Sequence, residues 1–165
     1  MHDSLRASRP LVPAIATLLL AALIPATASG QGGIGVENPW ARATAPGQMV
    51  SGGYMTLINP ADRPDRLLGA SSAVAGEVQI HQTSMDGGVM RMRQLADGME
   101  LPAKGRVEFR PGAAHLMFMQ LRTPLEAGSS FPVQLRFRDA GTVEVTFRVQ
   151  GVNAGPAATP SVKPQ

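Results

Sequence analysis

Two runs near the C-terminal end decide the fold: Pro132-Val-Gln-Leu-Arg-Phe-Arg138 and Thr142-Val-Glu-Val-Thr-Phe-Arg-Val149, joined by Asp139-Ala140-Gly141. Val133, Leu135 and Phe137 in the first run, and Val143, Val145 and Phe147 in the second, occupy every other position, with polar or charged residues between them. A period of two is the period of a strand, so each run presents one apolar face and one wet face. Strands with a single buried face bury it by packing sheet on sheet. The class predicted is all-β, a two-sheet sandwich.

The same pattern recurs along the chain. Candidate strands are Ile34 to Ala43, Gly53 to Asn59, Asp65 to Ser71, Glu77 to Thr83, Val89 to Leu95, Gly98 to Leu101, Arg106 to Arg110 and Ala114 to Leu121, followed by the two runs above. Turn chemistry separates them at Ala45-Pro46-Gly47, Asn59-Pro60, Asp86-Gly87-Gly88, Pro111-Gly112, Ala127-Gly128 and Ala140-Gly141. No stretch of the mature chain sustains a helical period, and no internal repeat is found.

Residues 1–28 read as an export signal. Arg6 and Arg9 precede an apolar run from Leu11 to Ile24, and Ala26-Thr27-Ala28 fits a small-x-small cleavage site. The run is shorter than the ~20 residues a bilayer needs and contains Pro13, which argues against a retained anchor. The sequence has no cysteine, so it offers no thiol for a lipid, a disulfide or a thiolate metal site. Residues 29–33 form a short lead-in, 34–150 a single domain, and 151–165 a polar tail too poor in apolar surface to order itself. Beyond residue 28 the chain carries 13 Lys and Arg against 11 Asp and Glu, a net charge of +2, with the arginines scattered singly. With 4% aromatic residues and no basic block, nucleic-acid binding is not expected.

Two histidines remain after the leader, and both sit among methionines. His81-Gln-Thr-Ser-Met85-Asp-Gly-Gly-Val-Met90-Arg-Met92 is followed by His115-Leu-Met117-Phe-Met119. With Asp86-Gly87 as a two-residue hairpin turn, His81 lies opposite Met92, their Cβ atoms ~4.5–5.5 Å apart. A register one step shorter would oppose His81 to Met90. His115 and Met117 are two apart on a strand, so they share a face with about 6.6 Å between their Cα atoms. Two imidazoles and two thioethers can thus converge, with Met90, Met85 and Met119 as further candidate ligands or docking contacts.

Thioether sulfur is neutral and soft and suits Cu(I), whereas zinc sites use cysteine, histidine or carboxylate. Methionine on alternate strand positions is otherwise most often core packing. The histidines at matching spacing bring ligation level with packing, and both readings stay open on the residues alone. No G-x-S-x-G nucleophile motif occurs, and Gly52-Gly53 and Gly87-Gly88 read as strand and turn glycines rather than a phosphate cradle.

Asn38-Pro39-Trp40-Ala41-Arg42-Ala43-Thr44, Gly53-Tyr54-Met55-Thr56-Leu57, the His81 block and Pro111-Gly112 leading into His115-Leu116-Met117 together resemble the PCu(A)C family of periplasmic copper chaperones, over roughly residues 36 to 150. That family's signature is a histidine, a methionine about eleven residues on and a later His-x-Met, matched by His81, Met92, His115 and Met117. The resemblance implies a cupredoxin-like Greek-key sandwich that binds Cu(I) at an exposed site. It further implies a non-enzymatic periplasmic carrier that passes copper to cytochrome c oxidase, directly or through another copper chaperone; a monomer is expected. Some members carry a His- and Met-rich C-terminal extension for Cu(II); residues 151–165 contain neither residue, so no second site is expected there. The alternatives are a copper-sequestering protein with the same ligands, and a metal-free interaction module whose methionines are packing.

Overall fold

The computed structural model describes residues 33–153; the expected leader and most of the expected tail lie outside them. The described residues form ten strands: β1 Gly35–Arg42, β2 Val50–Ile58, β3 Asp65–Ser71, β4 Ala75–Asp86, β5 Val89–Gln94, β6 Met99–Leu101, β7 Arg106–Phe109, β8 Ala114–Leu121, β9 Ser130–Phe137 and β10 Thr142–Gln150. Among the described residues no helix is long and apolar enough to cross a membrane.

Hydrogen bonding runs in the order β5-β4-β8-β7-β2-β1-β10-β9-β3-β6, with β8 also paired to β2. The first and last strands lie side by side and parallel, Trp40 opposite Arg148. This continuous sheet folds over on itself. Phe118 of β8 meets Phe131 of β9 edge-on at 5.3 Å and Phe147 of β10 at 5.9 Å, although these strands stand far apart in the hydrogen-bonded order. The β8 half therefore lies over the β9–β10 half, a sandwich closed by an aromatic cluster.

The alternations that predict the sandwich are those that fill it. Val133, Leu135 and Phe137 are buried, as are Phe131 and Phe147, while Val143 and Val145 pack on the core's margin. Fully burying such side chains contributes roughly 1.5–3 kcal/mol each. Gly53 permits the close approach of β2 to this cluster, since a Cβ there would come within 2.5 Å of the Phe118 ring.

The β4–β5 hairpin departs from the expected register. Its turn is Gly87-Gly88, with φ of 57° and 81°, and Asp86 stays in the strand opposite Val89. A type I′ turn needs positive φ at both central residues, which glycine adopts without the steric cost that Asp86 would incur. His81 consequently pairs with Gln94 and Met92 with Thr83, so neither Met92 nor Met90 is directly opposite His81. The correction moves each partner by two positions, and a shift of two leaves every side chain on its predicted face.

Candidate metal centre

Strand β8 sorts its side chains by chemistry. Ala114, Leu116 and Phe118 enter the core, while His115, Met117 and Met119 line the opposite face. On that face β4 brings His81 opposite His115 and Gln79 opposite Met117, and β2 brings Gly52 opposite Met117 on the other side. The hairpin then folds β5 beyond β4, adding Met90 and Met92 to the same surface.

The result is an open cavity of about 360 Å³ lined by His115, Met117, Met90, Met92, Thr83 and Tyr54, with Arg42 and Gln48 at its margin. His81 adjoins it through His115, the two ring centroids being 5.8 Å apart. Exposure rises across the site from buried His115 through half-buried His81 and Met117 to exposed Met92. Met85 lies opposite Met90 at the hairpin tip, outside the cavity lining. Met119 lies one step along β8, opposite Glu77, and is also outside it.

Neighbouring groups set the tautomer of each histidine. His115 Nδ1 lies 3.0 Å from the Ala113 carbonyl, which can only accept, so Nδ1 carries the proton and Nε2 the lone pair. Gln79 Nε2 donates to Glu77 Oε1 at 2.7 Å, which leaves Gln79 Oε1 as the acceptor facing His81 Nε2, also at 2.7 Å. His81 Nε2 is therefore the donor and Nδ1 the free lone pair. That Nδ1 is buried and has no hydrogen-bond partner. Burial, with a smaller contribution from His115, holds the His81 pKa below the ordinary imidazole value and so favours the neutral ring.

An orphaned, neutral, buried ring nitrogen is costly unless something binds it. A soft cation fits: the lining holds thioethers and imidazole and no carboxylate. Among the described residues no three His, Cys, Asp or Glu side chains gather as a hard-metal site would require.

The LpqE-like lipoprotein family matches residues 34–149 of this sequence. The chain belongs to this family, the PCuAC domains. A copper-bound PCuAC domain from PmoF2 is 32% identical, with a TM-score of 0.62 over 73% of this chain and 94% of that one. The solution structure of Cu(I)-DR1885 from Deinococcus radiodurans is 27% identical with a TM-score of 0.62, covering 79% of this chain and 85% of that one. Lxx21020 of Leifsonia xyli subsp. xyli is 32% identical over 131 residues, which span 77% of this chain and 78% of the relative. The cupredoxin-like sandwich expected from the family resemblance is the fold of this PCuAC domain.

Around the histidines and methionines, this PCuAC domain places supporting residues whose roles the sequence reading does not assign. Gln79 and Glu77 orient His81, and only their spacing of two along one strand signals it. Tyr54 stands 6.4 Å from the His115 ring and packs on Trp40 at 4.4 Å. It lies back across Gly52, where a Cβ would come within 2.5 Å of its hydroxyl. The Arg42 guanidinium covers the Tyr54 ring at 5.9 Å. Thr83 is the cross-strand partner of Met92.

Proposed function

We propose that this protein is a non-enzymatic Cu(I) chaperone whose ligands are His81 Nδ1, His115 Nε2 and the sulfurs of Met92 and Met117. The observation that carries this reading is the pair of opposed imidazoles, each with its lone pair left free by its neighbour and one of them buried without a partner, on a face shared with both methionines. The copper-bound and Cu(I)-bound relatives support the choice of metal. All four ligands are neutral, so binding a monovalent cation adds one charge without demanding a carboxylate, and soft sulfur favours Cu(I) over Cu(II).

Transfer follows from the gradient of exposure. The buried histidine anchors the ion, and exposed Met92 is the ligand an incoming acceptor displaces first. Copper then passes to the copper centre of cytochrome c oxidase or to another copper chaperone. The protein acts as a monomer in the periplasm after removal of residues 1–28, with 34–150 as the carrier domain; the lipoprotein label of its family is consistent with export.

Competition for Cu(I) against a chromophoric chelator, anaerobically and under reducing conditions, tests the reading. One tight equivalent is expected, with little Cu(II) uptake. Replacing His115 and Met117 together by alanine should abolish tight binding while the β-sheet circular dichroism stays unchanged; undiminished affinity overturns the assignment.

A further inference from the structure

The β4–β5 hairpin carries more sulfur than the proposed site uses. Met85, Met90 and Met92 are 66%, 65% and 52% exposed, whereas Met55 is buried in the core. Bulky apolar side chains gathered on a water-facing hairpin mark a site of interaction, where methionine serves either as an adaptable docking contact or as a thioether ligand. Here the sulfur is sorted. All three methionines lie on the face that carries His81, His115 and Met117, while Val89, Arg91 and Arg93 occupy the other face of β5.

The sulfurs form a ladder. Met85 and Met90 are direct cross-strand partners, which places their Cβ atoms ~4.5–5.5 Å apart. Met92 is the next rung inward, opposite Thr83, about 6.6 Å along the strand. Met90 and Met92 both line the cavity with His115 and Met117. A soft ion held between Met85 and Met90 is therefore one rung from Met92, and Met92 is in the cavity of the tight site.

We propose that Met85 and Met90 form an outer Cu(I) landing site, from which copper moves inward through Met92 and to which it returns on release. The inference rests on the Cu(I)-carrier reading above. Each step exchanges one Cu–S bond for another, or for a Cu–N bond at the histidines. No electron moves and copper stays Cu(I) throughout. Two thioethers without imidazole hold the ion more weakly than the inner set, so the outer site speeds exchange and leaves the final equilibrium to the inner one.

The experiment uses residues 29–165, Cu(I) and a small chromophoric chelator, comparing the wild type with Met85→Leu. Leucine keeps the bulk and apolarity and removes only the sulfur. Wild type should bind one tight and one weaker equivalent of Cu(I). Met85→Leu should lose the weaker equivalent and exchange copper with the chelator severalfold more slowly, with the tight affinity unchanged. Met90→Leu should reproduce the slower exchange. Wild-type exchange rates in both variants overturn the landing site, as does a weaker equivalent that survives in both. Slower transfer confined to a protein acceptor, with normal exchange to the chelator, overturns it in favour of a docking role. If the wild type takes up no Cu(I) at all, the carrier reading itself fails, an outcome distinct from a variant that matches a copper-binding wild type.

Discussion

His81 and His115 are cross-strand partners with ring centroids 5.8 Å apart, and each is held through the nitrogen that the other leaves free: Nε2 of His81 by Gln79, Nδ1 of His115 by the Ala113 carbonyl. The two rings thus offer different atoms to the same space. Hydrogen bonds behind the rings decide which atoms those are, before any ion arrives.

Removing one of those supports should loosen the site without dismantling it. Gln79→Ala frees the His81 ring to rotate and to change tautomer, and loss of such an outer partner typically costs about 10–100-fold in metal affinity. Cu(I) competition should show that loss, while thermal unfolding of the metal-free protein changes little. Unaltered affinity would mean that the Gln79 contact does not orient a ligand.

The two candidate methionines of β5 should separate. Met92 lies one rung nearer the histidines than Met90, opposite Thr83. Met92→Leu should lower equilibrium Cu(I) affinity far more than Met90→Leu in the same titration. The reverse order would place the ligand at Met90.

Gly52 is expected to tolerate no side chain. A Cβ would come within 2.5 Å of the Tyr54 hydroxyl and 3.0 Å of its ring carbon, and Tyr54 is packed against buried Trp40 with the rings tilted. Gly52→Ala should cost about 1–3 kcal/mol, as overpacking does. Urea unfolding measures the cost, and the emission of Trp40, the sole tryptophan, reports the displaced ring.

Asp65 of β3 anchors the β9–β10 turn. Its Oδ1 accepts from the Arg66 and Asp139 N–H groups at 2.6 and 2.9 Å, and Oδ2 from Ala140 N–H at 2.9 Å. Burial alone would raise its pKa; those three donors, with Arg138 nearby, outweigh it and hold the carboxyl below its ordinary value. A lowered folded-state pKa gives stability that is fully present above the unfolded value, near pH 4, and is lost as pH falls through the folded one. Asp65→Asn turns an amide N–H toward a backbone N–H and should cost about 1–3 kcal/mol at neutral pH. The difference between wild type and variant should shrink in denaturation curves below about pH 4. A constant difference from pH 7 to pH 3 would show that the carboxylate charge is not what matters.

Strand positions were legible because alternation and turn glycines are local signals. Asp65–Ser71 and Ala114–Leu121 coincide with their expected bounds, and His115 and Met117 share the predicted face. Pairing was less legible. Asp86-Gly87 and Gly87-Gly88 are both good turn sequences, and the choice depends on which residue can bear positive φ, a matter of backbone energy rather than pattern. β2 starts at Val50 and β4 runs the full length of Ala75–Asp86, both beyond the expected bounds, because their ends are fixed by neighbouring strands. The supporting roles of Gln79, Gly52 and Tyr54 are not legible for the same reason: they exist only once β2, β4 and β8 lie side by side.

The parallel pairing of β1 with β10 has a consequence for the order of events in the life of the chain. β1 pairs with β2 along one edge, but its other edge is filled only when β10 exists, so the sandwich cannot shut before the last strand is present. Such long-range pairing folds slowly. Until β9 and β10 are in place, β1 keeps one edge unpaired and the β8 half lacks the Phe131 and Phe147 rings against which Phe118 packs.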